Sequence, residues 1–242
     1  VPSPIRLRAP ILCYVTHRHG FPFPPAEREE ALLQRIELAS AAGIDWIQIR
    51  EKDLSAKACS ALVRRAVERV QRASELQSDE TSDSRRAARI LVNDRLDIAL
   101  AAGAAGAHFG ENSLPTQAVG RIRRLLAAQP ASAARNFSIG FSCHSLESAQ
   151  AANSAGADYV FFGPIFATPS KAAFGPPQGV ERLAGVCAAI PLPVIAIGGI
   201  SLQNAAACVQ AGAAGIAAIR LFQDTPDLPA TIAALRVSLE RS

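Results

Sequence analysis

The sequence predicts an α/β chain closed as a (β/α)8 TIM barrel, a single domain over residues 1–242, with 1–9 expected as a disordered N-terminal tail. Three observations predict it. A turn of Ala and Gly followed by an apolar strand recurs four times along the chain. Four further apolar runs fall before and between those copies, which makes eight short strands. Helical text separates them, and strands that alternate with helices imply parallel neighbours joined by crossovers.

Ile11-Leu12-Cys13-Tyr14-Val15 opens the series as strand one. Glu29 to Ala42 then carries Leu32, Leu33, Ile36 and Ala39 on one face, the spacing of an amphipathic helix. The first copy of the repeat, Ala42-Gly43-Ile44-Asp45-Trp46-Ile47-Gln48, delivers strand two, and Ile90-Leu91-Val92 reads as strand three. Strand four belongs to the copy Ala102-Gly103-Ala104-Ala105-Gly106-Ala107-His108, and strand five to Phe137-Ser138-Ile139-Gly140-Phe141. Strand six follows from Ala155-Gly156-Ala157-Asp158-Tyr159-Val160-Phe161, strand seven from Pro193-Val194-Ile195-Ala196-Ile197, and strand eight from Ala211-Gly212-Ala213-Ala214-Gly215-Ile216-Ala217. The leading glycines of the copies lie 60, 53 and 56 residues apart, each suited to the left-handed position that ends a helix. Ser201 is the expected N-cap of the helix after strand seven, and Thr225-Pro226 the expected start of the last helix, with Pro at its first turn. Gln77–Ser84 reads as a loop, and Ala127–Ser132 as a weaker one. Eight such units in this length favour the closed barrel over a doubly wound sheet.

Composition narrows the function. Hydrophobic residues make up 49% and charged residues 19%, which excludes global disorder. No apolar run approaches the ~20 residues of a membrane helix, so no membrane partner is expected. Val1-Pro2-Ser3-Pro4 lacks the apolar segment of a secretory signal, and the absence of Met suits a chain without its initiator. The net charge is +4, with a pI near 9.0. The local cluster Arg121, Arg123 and Arg124 has no aromatic neighbours, so it reads as a solvated helix face rather than a nucleic-acid surface. Five widely spaced cysteines (13, 59, 143, 187 and 208) read as reduced and mostly buried, which predicts a cytoplasmic protein.

In a barrel of this kind the chemistry sits on the loops after the strands. Strand two runs into Gln48-Ile49-Arg50-Glu51-Lys52-Asp53, and alternation puts Gln48, Arg50 and Lys52 on one face. Two cations and an amide donor suit an anion such as a diphosphate; the alternative is a self-paired, solvated charge cluster. Strand three ends in Asn93-Asp94-Arg95, where Asp94 either holds Mg²⁺ or caps the next helix. Strand four ends in His108 and runs on to Glu111 and Ser113, and strand five ends in Ser142-Cys143-His144. Neighbours on a strand point to opposite faces, so Cys143 and His144 make a poor nucleophile pair. The loop after strand six bears Thr168, Ser170 and Lys171, so two of the three lysines in the chain fall at predicted site loops. Gly198-Gly199 after strand seven and Arg220 after strand eight match the usual phosphate position of this fold.

Nearly the whole chain resembles the thiamine phosphate synthase family, including its thiazole tautomerase branch. The resemblance is carried by Gln48-Ile49-Arg50-Glu51-Lys52, Val92-Asn93-Asp94-Arg95, the run from Gly163 to Lys171, and Ile197-Gly198-Gly199-Ile200. It implies a transferase of thiamine biosynthesis that joins hydroxymethylpyrimidine diphosphate to thiazole phosphate, with Mg²⁺ as cofactor and no nucleic-acid partner, and it leaves a homo-oligomer open. On that resemblance Gln48, Arg50, Lys52, Asn93 and Lys171 hold the diphosphate and Asp94 binds Mg²⁺. Ser142 faces the pyrimidine, while Thr168, Ser170 and Gly199 hold the thiazole phosphate. Lys171, Arg50 and Lys52 serve the departing diphosphate, and His144 moves a proton in the tautomerase branch. The family usually has Asp, a second metal ligand, at Ser113; it has Gln at Glu111 and Ser at Arg220. Glu111 is therefore expected to restore the missing carboxylate, with Ser113 capping the helix near Pro115. A tautomerase, or a non-catalytic barrel that binds a phosphate ligand, is the alternative reading.

Overall fold

The computed structural model describes residues 9–75, 87–111, 113–128, 137–168 and 176–240. Its strands are β1 (Ile11–Val15), β2 (Trp46–Ile49), β3 (Arg89–Asn93), β4 (Gly106–Phe109), β5 (Ser138–Cys143), β6 (Tyr159–Phe162), β7 (Val194–Ile197) and β8 (Gly215–Ala218). All pair in parallel in chain order, and β8 closes on β1 through Ile11↔Gly215 to Tyr14↔Ala218. The expected (β/α)8 barrel is therefore present.

The helices α1 (Arg28–Ala41), α2 (Ala56–Glu75), α3 (Leu96–Ala101), α4 (Val119–Ala127) and α5 (Leu146–Ser154) cover the first strands. They are followed by α6 (Gly179–Ala189), α7 (Ala205–Gln210), α8 (Arg220–Gln223) and α9 (Leu228–Glu240). Leu32, Leu33, Ile36 and Ala39 form the buried face of α1, as their spacing predicts. Among the described residues no helix is long and apolar enough to cross a membrane. Strand alternation divides the core. Residues such as Leu12, Ile47 and Val160 face the helices, whereas Cys13, Trp46, Leu91, Tyr159, Phe161 and Ile195 fill the lumen. Gly140 makes room there for the Tyr159 ring: a Cβ at Gly140 would fall 2.1 Å from Tyr159 Cζ.

The repeat has a structural basis. Gly43, Gly103, Gly156 and Gly212 all have positive φ, so each ends a helix in the left-handed conformation. Two copies carry an Asp after that turn. Asp45 Oδ2 accepts the Leu12 N–H at 2.7 Å and an Arg236 guanidinium N–H at 2.6 Å. Asp158 Oδ2 accepts the Ile139 N–H at 2.6 Å and pairs with Arg123. Arg123 thus belongs to a bracket under the barrel, although Arg121, Arg123 and Arg124 read together as a solvated face.

Three helix starts differ from expectation. Ser201 does not cap α7; Asn204 is its N-cap residue, and the Asn204 amide instead folds the preceding turn by accepting the Ser201 N–H at 2.8 Å. Thr225-Pro226 precedes α9 rather than opening it, because Asp227 Oδ1 caps the Ala230 N–H at 2.9 Å. Ser113 does not cap the next helix either. A short 3-10 turn, Thr116–Ala118, leads into α4, and the Ser113 N–H bonds back to Gly110 O. The tail 1–8 and the loop Gln77–Ser84 lie outside the described residues. The five cysteines are free, and all but Cys187 are buried.

Candidate active site

The lumen turns polar at the C-terminal end of the strands. Gln48 points inward and is 2% exposed; its Nε2 donates to Asn93 Oδ1 at 3.0 Å. Asn93 Nδ2 in turn donates to Asp94 Oδ2 at 2.6 Å, and Asp94 Oδ1 accepts the Gly110 N–H at 3.0 Å. This chain of bonds ties the mouths of β2, β3 and β4 together. Asp94 has φ 59°, a left-handed conformation that non-glycine residues rarely hold and that gathers at functional sites. No side chain caps α3, so Asp94 is not the helix cap that its position also allowed.

Above Gln48 the side chains step out toward solvent: Arg50 is half-buried and Lys52 exposed. Neither forms an ion pair among the described residues. The two acids of the same segment behave differently. The Glu51 side chain is 1% exposed and turns back under the β1 loop. It accepts the Thr16 hydroxyl at 2.7 Å, the Arg18 N–H at 3.1 Å and Arg18 Nη1 at 3.2 Å. Thr16, fully buried, accepts the Arg50 N–H at 3.0 Å and so fixes the start of the loop. Asp53 pairs with Arg18 and with His19 Nε2, and the Arg18 guanidinium holds its carboxyl well below the usual range. The charge cluster is thus self-paired through Arg18 for its acids only.

A buried relay supports the floor. His108 lies between Tyr159 and Ser142, its Nδ1 3.2 Å from the Tyr159 hydroxyl and its Nε2 2.9 Å from Ser142 Oγ. Burial pushes His108 down to about 3 despite Asp94 nearby, so the ring is neutral. Burial also keeps the Tyr159 hydroxyl protonated, and among the described residues His108 is its polar partner. Tyr159 therefore donates to Nδ1, Nε2–H donates to Ser142, and the Ser142 proton is left to face the mouth. Cys143, next along β5, points to the helix side, and burial pushes its thiol up to about 12, which rules it out as a nucleophile. His144 Nδ1 contacts Gly163 O. His144 also lines a cavity of about 350 Å³ with Ser145, Phe162, Gln178 and Arg182, between the start of α5 and α6. None of Gln48, Arg50, Asn93 and Asp94 lines that cavity.

The glycines after β7 serve the packing of two loops. A Cβ at Gly198 would meet Pro164 at 2.6 Å, and one at Gly199 would meet Ala167 O at 2.6 Å. Only bare backbone lets the β6 loop lie on the β7 loop, where Ile165 and Phe166 donate to Ile197 O and Gly198 O. Thr168 is half-buried at the described end of the β6 loop, and Arg220 is exposed at the first residue of α8, after β8. Ser170 and Lys171 lie outside the described residues. Sequence reasoning missed Thr16, Arg18 and Glu51 and gave His108 no role. The one available signal was the alternation of acid and base in Arg50-Glu51-Lys52-Asp53, which does not name Arg18 as the partner.

Among the described residues no group of three or more His, Cys, Asp or Glu side chains could hold a metal ion. The donors at Asp94 are nonetheless hard oxygens. A Cβ at Gly110 would lie 2.7 Å from Ser113 Oγ and 3.9 Å from Asp94 Oδ1, so both oxygens lie close to Gly110. Glu111 is exposed in that turn. This set fits a Mg²⁺ that takes most of its shell from phosphate and water, and it does not fit a protein-only cage.

Unpaired cations, amides and one strained carboxylate at the strand ends define a class: a (β/α)8 barrel that handles a small anionic ligand at its C-terminal mouth. The family model of thiamine monophosphate synthase matches residues 13–222. The chain is 37% identical over 210 residues to the thiamine-phosphate synthase of Roseiflexus sp., covering 87% of this chain and 79% of that one. It is 40% identical over 202 residues to that of Anaeromyxobacter dehalogenans, covering 84% and 80%. A solved thiamine phosphate pyrophosphorylase from Pyrococcus furiosus superposes with a TM-score of 0.74 at 26% identity over 96% of both chains. The chain belongs to the thiamine monophosphate synthase family and is an enzyme of its transferase type.

Proposed function

We propose that the protein joins hydroxymethylpyrimidine diphosphate to thiazole phosphate, releasing diphosphate and giving thiamine phosphate. The observation that carries this reading is the pair Arg50 and Lys52, left without ion pairs among the described residues while Glu51 and Asp53 are taken by Arg18. Leaving-group charge is the barrier to breaking the pyrimidine–diphosphate bond, and preorganised cations lower it. Arg50 presents a planar fork to phosphate oxygens, Lys52 a point charge at the rim, and Gln48 and Asn93 hold the inner oxygens. Asp94 would hold a Mg²⁺, with Glu111 as a second carboxylate from the next turn. Bound there, the ion would neutralise charge on the leaving diphosphate. Ser142 offers its proton to a ring nitrogen of the pyrimidine. Trp46, Tyr159 and Phe161 fill the lumen below and keep water from that side. Thr168, Ser170 and Gly199 hold the thiazole phosphate, Arg220 adds charge after β8, and Lys171 joins Arg50 and Lys52 at the diphosphate. His144 acts by packing on the pyrimidine side.

The test is turnover of the two substrates with and without Mg²⁺, for the parent, Arg50→Ala and His144→Ala. The parent should couple them, Arg50→Ala should lose about a hundredfold or more in kcat, and His144→Ala should lose only a few-fold. A parent that couples nothing, but exchanges a proton on thiazole carboxylate phosphate and loses that exchange in His144→Ala, would be a tautomerase instead.

A further inference from the structure

The segment Arg50-Glu51-Lys52-Asp53 contains its own counter-ions, and a flexible loop would pair them with each other. In the structure it does not. Glu51 leaves the mouth and is buried against Thr16 and Arg18. Asp53, although half exposed, is bound by both arms of the Arg18 guanidinium, with Nη1 at 2.5 Å from Oδ1 and Nη2 on Oδ2. Arg18 itself is only 14% exposed and sits on the short 3-10 turn after β1, Arg18–Gly20. One cation from a different loop therefore engages two carboxylates at once.

We infer that Arg18 is a positioning residue for the anion site: by binding Glu51 and Asp53 it keeps them from pairing with Arg50 and Lys52, which stay available to diphosphate. The inference rests on the diphosphate reading of that site. Arg18 need not touch the ligand. Its effect is a competition between two anions, the Asp53 carboxylate and the incoming diphosphate, for the same two cations. Without Arg18, Asp53 keeps the exposed His19 Nε2 as its partner among the described residues, and Lys52 is its neighbour in the chain. Glu51 keeps the Thr16 hydroxyl and the Arg18 N–H, so its burial does not depend on the guanidinium alone.

Competition has a signature that loss of structure lacks. Calorimetric titration with inorganic diphosphate compares the parent, Arg18→Ala, Arg18→Gln, Asp53→Asn and the doubles Arg18→Ala/Asp53→Asn and Arg18→Gln/Asp53→Asn, with cooperative unfolding checked for each. The parent should bind, and Asp53→Asn should bind at least as well. Arg18→Ala should bind about fivefold more weakly, the scale of a partly exposed ion pair. The double variant should return to within about twofold of the parent, because the competing carboxylate is gone. Arg18→Gln, which keeps amide donors without the charge, should repeat the pattern, and it carries the comparison if the alanine variant unfolds. Unchanged affinity on losing Arg18, or a double variant as weak as the single one, would overturn the inference while leaving the diphosphate site standing. A parent that binds no diphosphate would overturn both.

Discussion

His108 is buried among aromatic rings, and its neutrality has a cost that shows in acid. The ring centroid of Phe161 lies 4.2 Å from that of His108 and the ring of Tyr159 lies 5.6 Å away, so aromatic rings pack the buried imidazole. Its pKa falls from 6.5 to about 3. Between those values the unfolded chain binds a proton that the native one refuses. Stability should therefore be complete above pH 6.5 and decline as the pH falls toward 3, by up to about 1.4 kcal/mol per pH unit. His108→Gln keeps polar contact with Ser142 but does not titrate. Its unfolding free energy, measured in urea between pH 7 and pH 4, should decline less steeply than that of the parent. Equal slopes would show that His108 is not the group responsible. The composition hid this residue: a His at a strand end reads the same whether it faces solvent or the lumen, and only the pairing Asn93↔His108 places it inside.

At the scale of elements, two of the four repeat copies are held by the same bracket, an Asp that joins a strand start to a distant Arg. Asp45 ties β1 and α9, and Asp158 ties β5 and α4. The two differ in exposure, with side chains 39% and 12% exposed respectively. A charge-assisted bond gains more where solvent screens it less. Asp158→Ala should lose roughly 1.5–3 kcal/mol, leaving a buried N–H unpaired, and Asp45→Ala should lose about half of that. Urea midpoints of the two variants decide it, and an equal or reversed order would show that burial does not set their strengths. The repeat was legible because glycine, turn and strand are local and recur. The strands, the barrel and the inward Gln48 follow from such local signals, whereas Asn93 and Ser142 were placed at the mouth by the family resemblance. Helix starts were less legible, since Ser201, Asp227 and Thr225 are all capping types and backbone geometry chooses among them. The Arg18 cluster was not legible at all, because its members meet only when β1 and β2 pair in register at Val15↔Gln48.

At the scale of the molecule the site has no local existence. Thr16, Gln48, Asp94, Ser142, Gly199 and Arg220 come from different strand ends and share one mouth only when β8 closes on β1. A ligand at that mouth binds the closed barrel and not the open chain, so its binding free energy adds to stability. On the proposed function, inorganic diphosphate with Mg²⁺ at about a hundred times its Kd should stabilise the protein by about 2.7 kcal/mol. For a chain of this size that is a rise in Tm of about 5–10 °C. The contribution of the ion should run through Asp94, the carboxylate that is held in a left-handed turn and anchored by Asn93 and Gly110. Asp94→Asn keeps the shape and removes the charge. Thermal unfolding of parent and variant, each with buffer, Mg²⁺, diphosphate or both, separates the terms. The variant should keep the shift given by diphosphate alone, which Arg50, Lys52 and Gln48 supply, and lose the further shift that Mg²⁺ adds. If Mg²⁺ adds the same increment to both proteins, the ion is held elsewhere at the mouth, and Asp94 is a structural anchor of the β3 and β4 loops.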